Sequence, residues 1–137
     1  MKKELQSKDF RIGNALSTKS GNIIILNMID TDVVGTQHIN GTQLGLKELD
    51  SLYPINIHEG ILESFGFELS DDEGDVKHYE IGKYGIRMHE DSDFYFYHKM
   101  VNEDEYWILC ELNFFHEVQN LYFALTGEEL KWKHDNH

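Results

Sequence analysis

Between Phe10 and Leu49 the chain alternates short β-favouring runs with breaks rich in Gly and Asn. Ile23 to Met28, Asp32 to Thr36 and a weaker run from Thr42 to Leu46 read as strands. Ser20-Gly21-Asn22 and Asn40-Gly41 are turn chemistry, because Gly and Asn tolerate the positive φ that tight hairpins need. Strands this short and this closely spaced predict a small, strongly bent antiparallel sheet or half-barrel.

The pattern changes at Pro54. In PINIHEGILESFGF the apolar residues Ile57, Ile61, Leu62 and Phe65 follow a helical stripe, and Gly66 stands where a left-handed C-terminal cap belongs. Asn56 or His58 is the expected N-terminal cap. Four strands are expected next, at Val76 to Ile81, Tyr84 to His89, Phe94 to His98 and Tyr106 to Leu112. Gly82-Lys83 fits a two-residue hairpin turn, so these strands form a meander. In Phe94-Tyr95-Phe96-Tyr97 the phenyl rings face the core and the phenols a partly exposed side, since strand side chains alternate. Phe114, Val118, Leu121, Tyr122 and Leu125 recur at helical spacing, and Gly127 stops that run. The meander is the expected platform for this last helix, with Leu121 and Leu125 in its buried stripe. The tail KWKHDNH, residues 131–137, has no pattern and is expected to fray.

At 137 residues the chain suits a single domain, and its 40% apolar and 12% aromatic content excludes a disordered polymer. Twelve Lys and Arg face 25 Asp and Glu, a formal charge of −13. That balance argues against direct nucleic-acid binding by phosphate neutralisation and in favour of a basic partner. The N-terminus MKKELQSKDF has no apolar stretch behind its lysines, so no export signal is expected. Ile23 to Ile29, interrupted by Asn27, is far shorter than the roughly 20 residues that span a bilayer, so no membrane partner is expected. The one cysteine, Cys110, lies in an apolar run and reads as a buried core residue of a cytoplasmic protein rather than a catalytic thiol.

Candidate chemistry is sparse. The eight histidines do not cluster: His78, His89 and His98 fall one per strand, and His134 and His137 lie in the tail. There is no zinc-spaced His/Cys pair and no HExxH, so no metal, cofactor or catalytic residue is assigned. Ser70 to Asp75 lacks the ligand spacing of a calcium loop and reads as a solvated hairpin loop. Gly-rich phosphate cradles and a GxSxG elbow are absent. What stands out is acid in the links of the meander: Asp71, Asp72, Glu73 and Asp75, then Glu90, Asp91 and Asp93, then Glu103, Asp104 and Glu105. Such links can share one rim of a sheet and steer a basic surface toward it, although the same acids also serve solubility.

Three segments, Phe10-Arg11-Ile12-Gly13-Asn14, PINIHEGILESFGF from Pro54 and HEVQNLYFALTGEEL from His116 to Leu130, together resemble a family of small proteins of Bacteroidota genomes and their prophages. Where His58 stands the family often carries Thr, and Gly35 to Leu52 departs from its usual pattern. The resemblance implies an SH3-like N-terminal set of strands, a short helix, a meander and a closing helix, and it supplies no reaction. The expected fold is α+β in one domain, with an SH3-like β subregion at 9–52. Residues 54–130 hold the linking helix and an antiparallel β-meander packed by a C-terminal helix. The expected function is that of a non-enzymatic interaction protein of prophage type. It would bind the basic surface of a partner such as a nucleic-acid-guided defence nuclease, in the manner of an anti-CRISPR protein. A small metal-dependent or hydrolytic enzyme using the strand histidines, and an assembly factor of a mobile element, are the alternatives.

Overall fold

The computed structural model describes residues 10–30, 32–89, 93–100 and 105–133. In chain order, β1 (Ala15–Ser17), β2 (Ile23–Ile29), β3 (Val33–His38) and β4 (Gln43–Glu48) precede a 3-10 turn at Leu49–Ser51 and the helix α1 (Glu59–Ser64). Then follow β5 (Glu68–Asp72), β6 (Val76–Ile81), β7 (Tyr84–His89), β8 (Phe94–Lys99), β9 (Tyr106–Leu112) and the helix α2 (Phe115–Thr126). The strands form two antiparallel sheets, ordered β1-β2-β3-β4 and β5-β6-β7-β8-β9, so the α+β class is the one expected. The chain divides into two compact units. One comprises the chain up to Ile55 together with Phe114–Glu129, the other Asn56–Asn113 together with the chain from Leu130.

In the first unit, strand alternation turns Leu16, Ile24, Leu26 and Val34 inward, where they meet Phe10, Leu49 and Leu52. The short strand β1 had no counterpart among the expected runs. It is held on one side by β2 and on the other by Tyr53, which exchanges two backbone bonds of 2.8 Å with Ser17, and by a side chain of α2. Gln119, fully buried, accepts a hydrogen bond from the Ala15 N–H at 2.7 Å and donates one to the Gly13 carbonyl at 3.1 Å. Beside it, Asn120 accepts from the Asn14 amide at 2.8 Å and from Arg11 Nε at 3.2 Å. The Arg11 guanidinium pairs with both Glu129 carboxylate oxygens and lies 4.2 Å from the Phe123 ring centre. At the head of α2, the Phe115 N–H donates to the Ile55 carbonyl at 2.8 Å.

These bonds correct two expectations. The last helix belongs with the N-terminal sheet, whereas the meander was its expected platform. Its buried face is Phe115, His116, Val118 and Gln119, while Leu121 is half-buried and Leu125 exposed. Periodicity alone puts the face where the most apolar residues are; the polar demand of the β1 edge rotates it toward Gln119. The helix ends as expected, with Gly127 at φ +75° and its N–H bonded to the Phe123 carbonyl.

In the second unit α1 lies where the stripe placed it. His58 is the cap, its Nδ1 accepting from the Ile61 N–H at 3.2 Å, and Gly66 takes the left-handed conformation at φ +98°. Ile57, Ile61, Leu62 and Phe65 are all buried. One face of the sheet buries the cross-strand row Tyr79, Ile86 and Phe96. Glu59 of α1 reaches the same face, accepting from Lys77 Nζ at 2.7 Å and from the Tyr79 hydroxyl at 3.0 Å. The sheet has five strands where four were expected, because Asp71 and Asp72 belong to β5, an exposed acidic edge strand with no apolar alternation to announce it. The start of the tail is docked where fraying was expected. The Lys133 N–H bonds the Ser64 carbonyl at 2.6 Å and Trp132 meets Phe65 edge-on at 5.5 Å, while His134 and His137 lie outside the described residues. Cys110 is half-buried rather than buried.

Replacing Gln119 with the more apolar Leu leaves the buried Ala15 N–H without its acceptor, at an expected cost of about 1–3 kcal/mol. Leu125→Ala, on the exposed face, moves stability by about 0.5 kcal/mol or less. Urea denaturation midpoints of the two variants check both expectations.

Candidate functional site

The face of the second sheet opposite Tyr79, Ile86 and Phe96 carries the polar residues of alternate register. His78 pairs with Arg87, Glu80 with Gly85, and Gly85 in turn with Tyr97. Gly85 is required here by space, not by its backbone angles. A Cβ at this position would clash with Cζ and the hydroxyl of Tyr97 and lie 2.9 Å from the Tyr79 carbonyl. With no side chain at 85, the ring of Tyr97 lies across β7 and its hydroxyl donates to Glu80 Oε2 at 2.5 Å. Lys99 Nζ donates to the other oxygen, Oε1, at 3.2 Å. Tyr97, expected on a partly exposed face, is therefore fully buried beside Phe96. Burial first, and then the bond to Glu80, push its phenol far above the ordinary value of 10.0.

The sheet curls around this ring. His78 of β6 and Tyr106 of β9 are separated by two strands, which in a flat sheet puts their backbones roughly 14 Å apart. Their ring centres are 5.5 Å apart, and Tyr97 lies 4.6 Å from Tyr106 and 5.5 Å from His78. The concave side encloses a hollow of about 530 Å³. His78, Glu80, Arg87, Lys99 and Tyr106 line it, and Ser70, Asp71, Glu73 and Glu105 complete its wall. Asp71, Glu73 and Glu105 are exposed, so they form its mouth. Among the described residues, none of these three carboxylates forms an ion pair. The Nε of Arg87 is buried with no acceptor among the described residues. Elsewhere in the unit, hydrogen bonds from Lys77 and then Tyr79 hold the Glu59 carboxyl below its usual range, and burial with the bond to Glu59 pushes the Tyr79 phenol up to about 12.

Of the acids singled out in the sequence, Asp71, Glu73 and Glu105 come together here. Asp72 closes the β5–β6 turn instead, accepting from the Gly74 N–H at 2.9 Å, and Asp75 lies in that turn. The carbonyl of Asp93 accepts the His89 N–H at 3.0 Å where β8 begins. Neither Asp75 nor Asp93 lines the hollow. Glu90, Asp91, Glu103 and Asp104 lie outside the described residues. Successive links of a meander fall at opposite ends of the sheet, and Asp71, Glu73 and Glu105 share the wall of one hollow. The strand histidines separate: His78 and His89 share a face by register and His98 takes the other. Among the described residues no three His, Cys, Asp or Glu side chains gather in an arrangement that could hold a metal ion.

Sequence reasoning missed Gly85, Tyr97, Arg87 and Lys99. Alternation in YGIRMH and FYFYHK puts Gly85, Arg87, Tyr97 and Lys99 on one face, but only the pairing of Gly85 with Tyr97 reveals that a ring fills the glycine's place. No family model, no curated protein and no solved structure matches the chain. Among the described residues no helix is long and apolar enough to cross a membrane.

Both raised phenols are neutral in the fold where the unfolded chain already ionises. Stability they contribute is complete below about pH 10 and is lost as pH rises through 12, where Tyr79 gives up its proton. Urea midpoints between pH 8 and pH 12 are expected to fall above pH 10, and Tyr97→Phe is expected to shallow that fall. Gly85→Ala is expected to expel the Tyr97 ring, read as a phenol that titrates at lower pH by its ultraviolet absorbance.

Proposed function

We propose that the protein is a non-enzymatic interaction module that binds a basic protein surface through the acidic mouth of this hollow. The observation that carries the reading is the convergence of Asp71, Glu73 and Glu105, drawn from two distant segments, with no ion pair among the described residues to neutralise them. A net charge of −13 adds a long-range field of the same sign, which speeds encounter with a basic partner and repels phosphate backbones. The partner we favour is the positively charged nucleic-acid channel of a guided defence nuclease in the cytoplasm of a bacterial host, with the carboxylates taking the place of phosphates. The resemblance to proteins of Bacteroidota prophages supports that choice of partner.

A partner recovered from the lysate of a nuclease-bearing host and identified by mass spectrometry allows a charge-matched comparison. One variant carries Asp71→Asn, Glu73→Gln and Glu105→Gln; a second carries Asp72→Asn, Asp75→Asn and Asp93→Asn. The first is expected to lower the association rate at least tenfold at low salt, with the gap closing at high salt, and the second to lower it far less. Equal, salt-independent rates for wild type and both variants contradict the proposal.

A further inference from the structure

β9 is the last strand of its sheet, with β8 on one side and, among the described residues, no strand on the other. The Met100 N–H donates to the Glu105 carbonyl at 2.9 Å, while the Lys99 N–H turns the other way, to the Lys83 carbonyl at 2.7 Å. Lys99 and Tyr106 are therefore a pair that exchanges no backbone bond, and so, two residues on, are Tyr97 and Ile108. The N–H and C=O of Tyr106 and of Ile108 point away from β8, and among the described residues they meet no partner. The extra residue Leu109 then interrupts the ladder, so the open stretch is the end of β9 that borders the hollow. Exposed strand edges are ordinarily guarded by charge, a bulge or a covering segment. β5, the opposite edge of this sheet, is acidic; β4 is bulged and carries Lys47 and Glu48; β1 is covered by Tyr53 and Gln119. The open end of β9 reads Tyr-Trp-Ile, without charge or proline. Trp107 is 64% exposed, with Ile108 and Leu109 exposed beside it, and Trp is among the residues that most often anchor interfaces.

The two faces of this edge differ. Tyr106 and Ile108 share the face of the hollow with Lys99 and Tyr97, whereas Trp107 shares the other face with His98. A strand laid along the edge would turn alternate side chains toward the acidic wall of the hollow and the rest toward the indole. A second copy of the chain would bring a further charge of −13 to this acidic end, so charge complementarity favours a segment of the opposite sign. We propose that the edge at residues 106–108 accepts an extended segment of a basic partner by strand addition, its Lys or Arg residues facing the mouth and its apolar residues on Trp107. This rests on the reading of the mouth as the surface for a basic partner, and adds to it the backbone contact by which that partner docks.

Calorimetric titration of the whole protein with a peptide that alternates lysine and valine, capped at both ends, tests the proposal. A block isomer, all lysines before all valines, keeps the charge and composition. Two further forms carry backbone N-methyl groups, one on every lysine and the other on every valine, so that each lacks the N–H groups along one edge of the strand. The alternating peptide is expected to bind at least tenfold more tightly than the block isomer, with one methylated form keeping that affinity and the other losing it. Bound peptide is expected to slow hydrogen exchange at the Tyr106 and Ile108 amides at least tenfold, and Trp107→Ala to weaken binding about tenfold. Equal affinities for all four peptides, each weakened by the Asp71→Asn, Glu73→Gln, Glu105→Gln variant, overturn strand addition and leave the acidic mouth standing. If that variant binds as tightly as wild type while one methylated form is still lost, the mouth is refuted and strand addition itself holds. Exchange at the same two amides that slows as the free protein is concentrated assigns the edge to a second copy and overturns the proposal. So does absence of binding by every peptide at millimolar concentration.

Discussion

The side-chain amide of Gln119 does for β1 what a neighbouring strand would do, accepting from one backbone N–H and donating to a backbone carbonyl two residues before it. The first unit depends on this contact, because it joins residues more than a hundred positions apart into one core. A three-residue strand has little apolar area with which to hold a helix, and its outer edge is costly to bury unpaired. Gln119 meets that demand at Ala15 as Tyr53 meets it at Ser17, and Arg11, Asn14, Asn120 and Glu129 form a polar network around it. With α2 so fixed, the Phe115 N–H lies on the Ile55 carbonyl. The chain therefore leaves the first unit and returns to it at neighbouring points, and the second sheet is built as an excursion between them.

Within that excursion a glycine plays the corresponding part. Without a side chain at position 85, the Tyr97 ring crosses β7 and delivers its hydroxyl to Glu80. Tyr97 then gathers the rings of His78 and Tyr106, and the sheet curls around the cluster. Glu105 lines the hollow together with Asp71 and Glu73. Removing the Tyr97 hydroxyl deprives Glu80 of a donor, and adding a methyl at 85 displaces the ring that supplies it, so both changes act on the charged hollow through Tyr97.

Much of this was readable along the chain. Ile57, Ile61, Leu62 and Phe65 announced α1 because a helix that buries one face must repeat its apolar residues, and Gly66, Gly82 and Gly127 marked real turns and caps. The acids of the hollow were named as well, Asp71, Glu73 and Glu105 among them. Three features were not readable, each for its own reason. β5 is exposed and acidic, so it carries no alternation and presents the composition of a loop. The buried face of α2 includes Gln119, whose burial is justified only by a strand more than a hundred residues earlier. Arg87 and Lys99 acquire meaning only through cross-strand register and the curl, which local sequence does not encode. Two segments far apart in the chain, Arg11 to Asn14 and Gln119 to Leu130, face each other: Arg11, Gly13 and Asn14 of one bond Gln119, Asn120 and Glu129 of the other. Their pattern is accounted for by the fold of the first unit, whereas the charged hollow belongs to the second.

The central claim is that cations bind this protein at one shaped hollow and not across its acidic surface at large. Nitrogen-15 chemical-shift mapping during titration with a basic peptide tests it most directly. The account predicts that shifts concentrate at Ser70, Asp71, Glu73, Arg87, Lys99, Glu105 and Tyr106, with saturation at one equivalent. Shifts spread evenly over acidic positions remote from the hollow, such as Glu48, Asp50 and Glu128, without saturation, would contradict it.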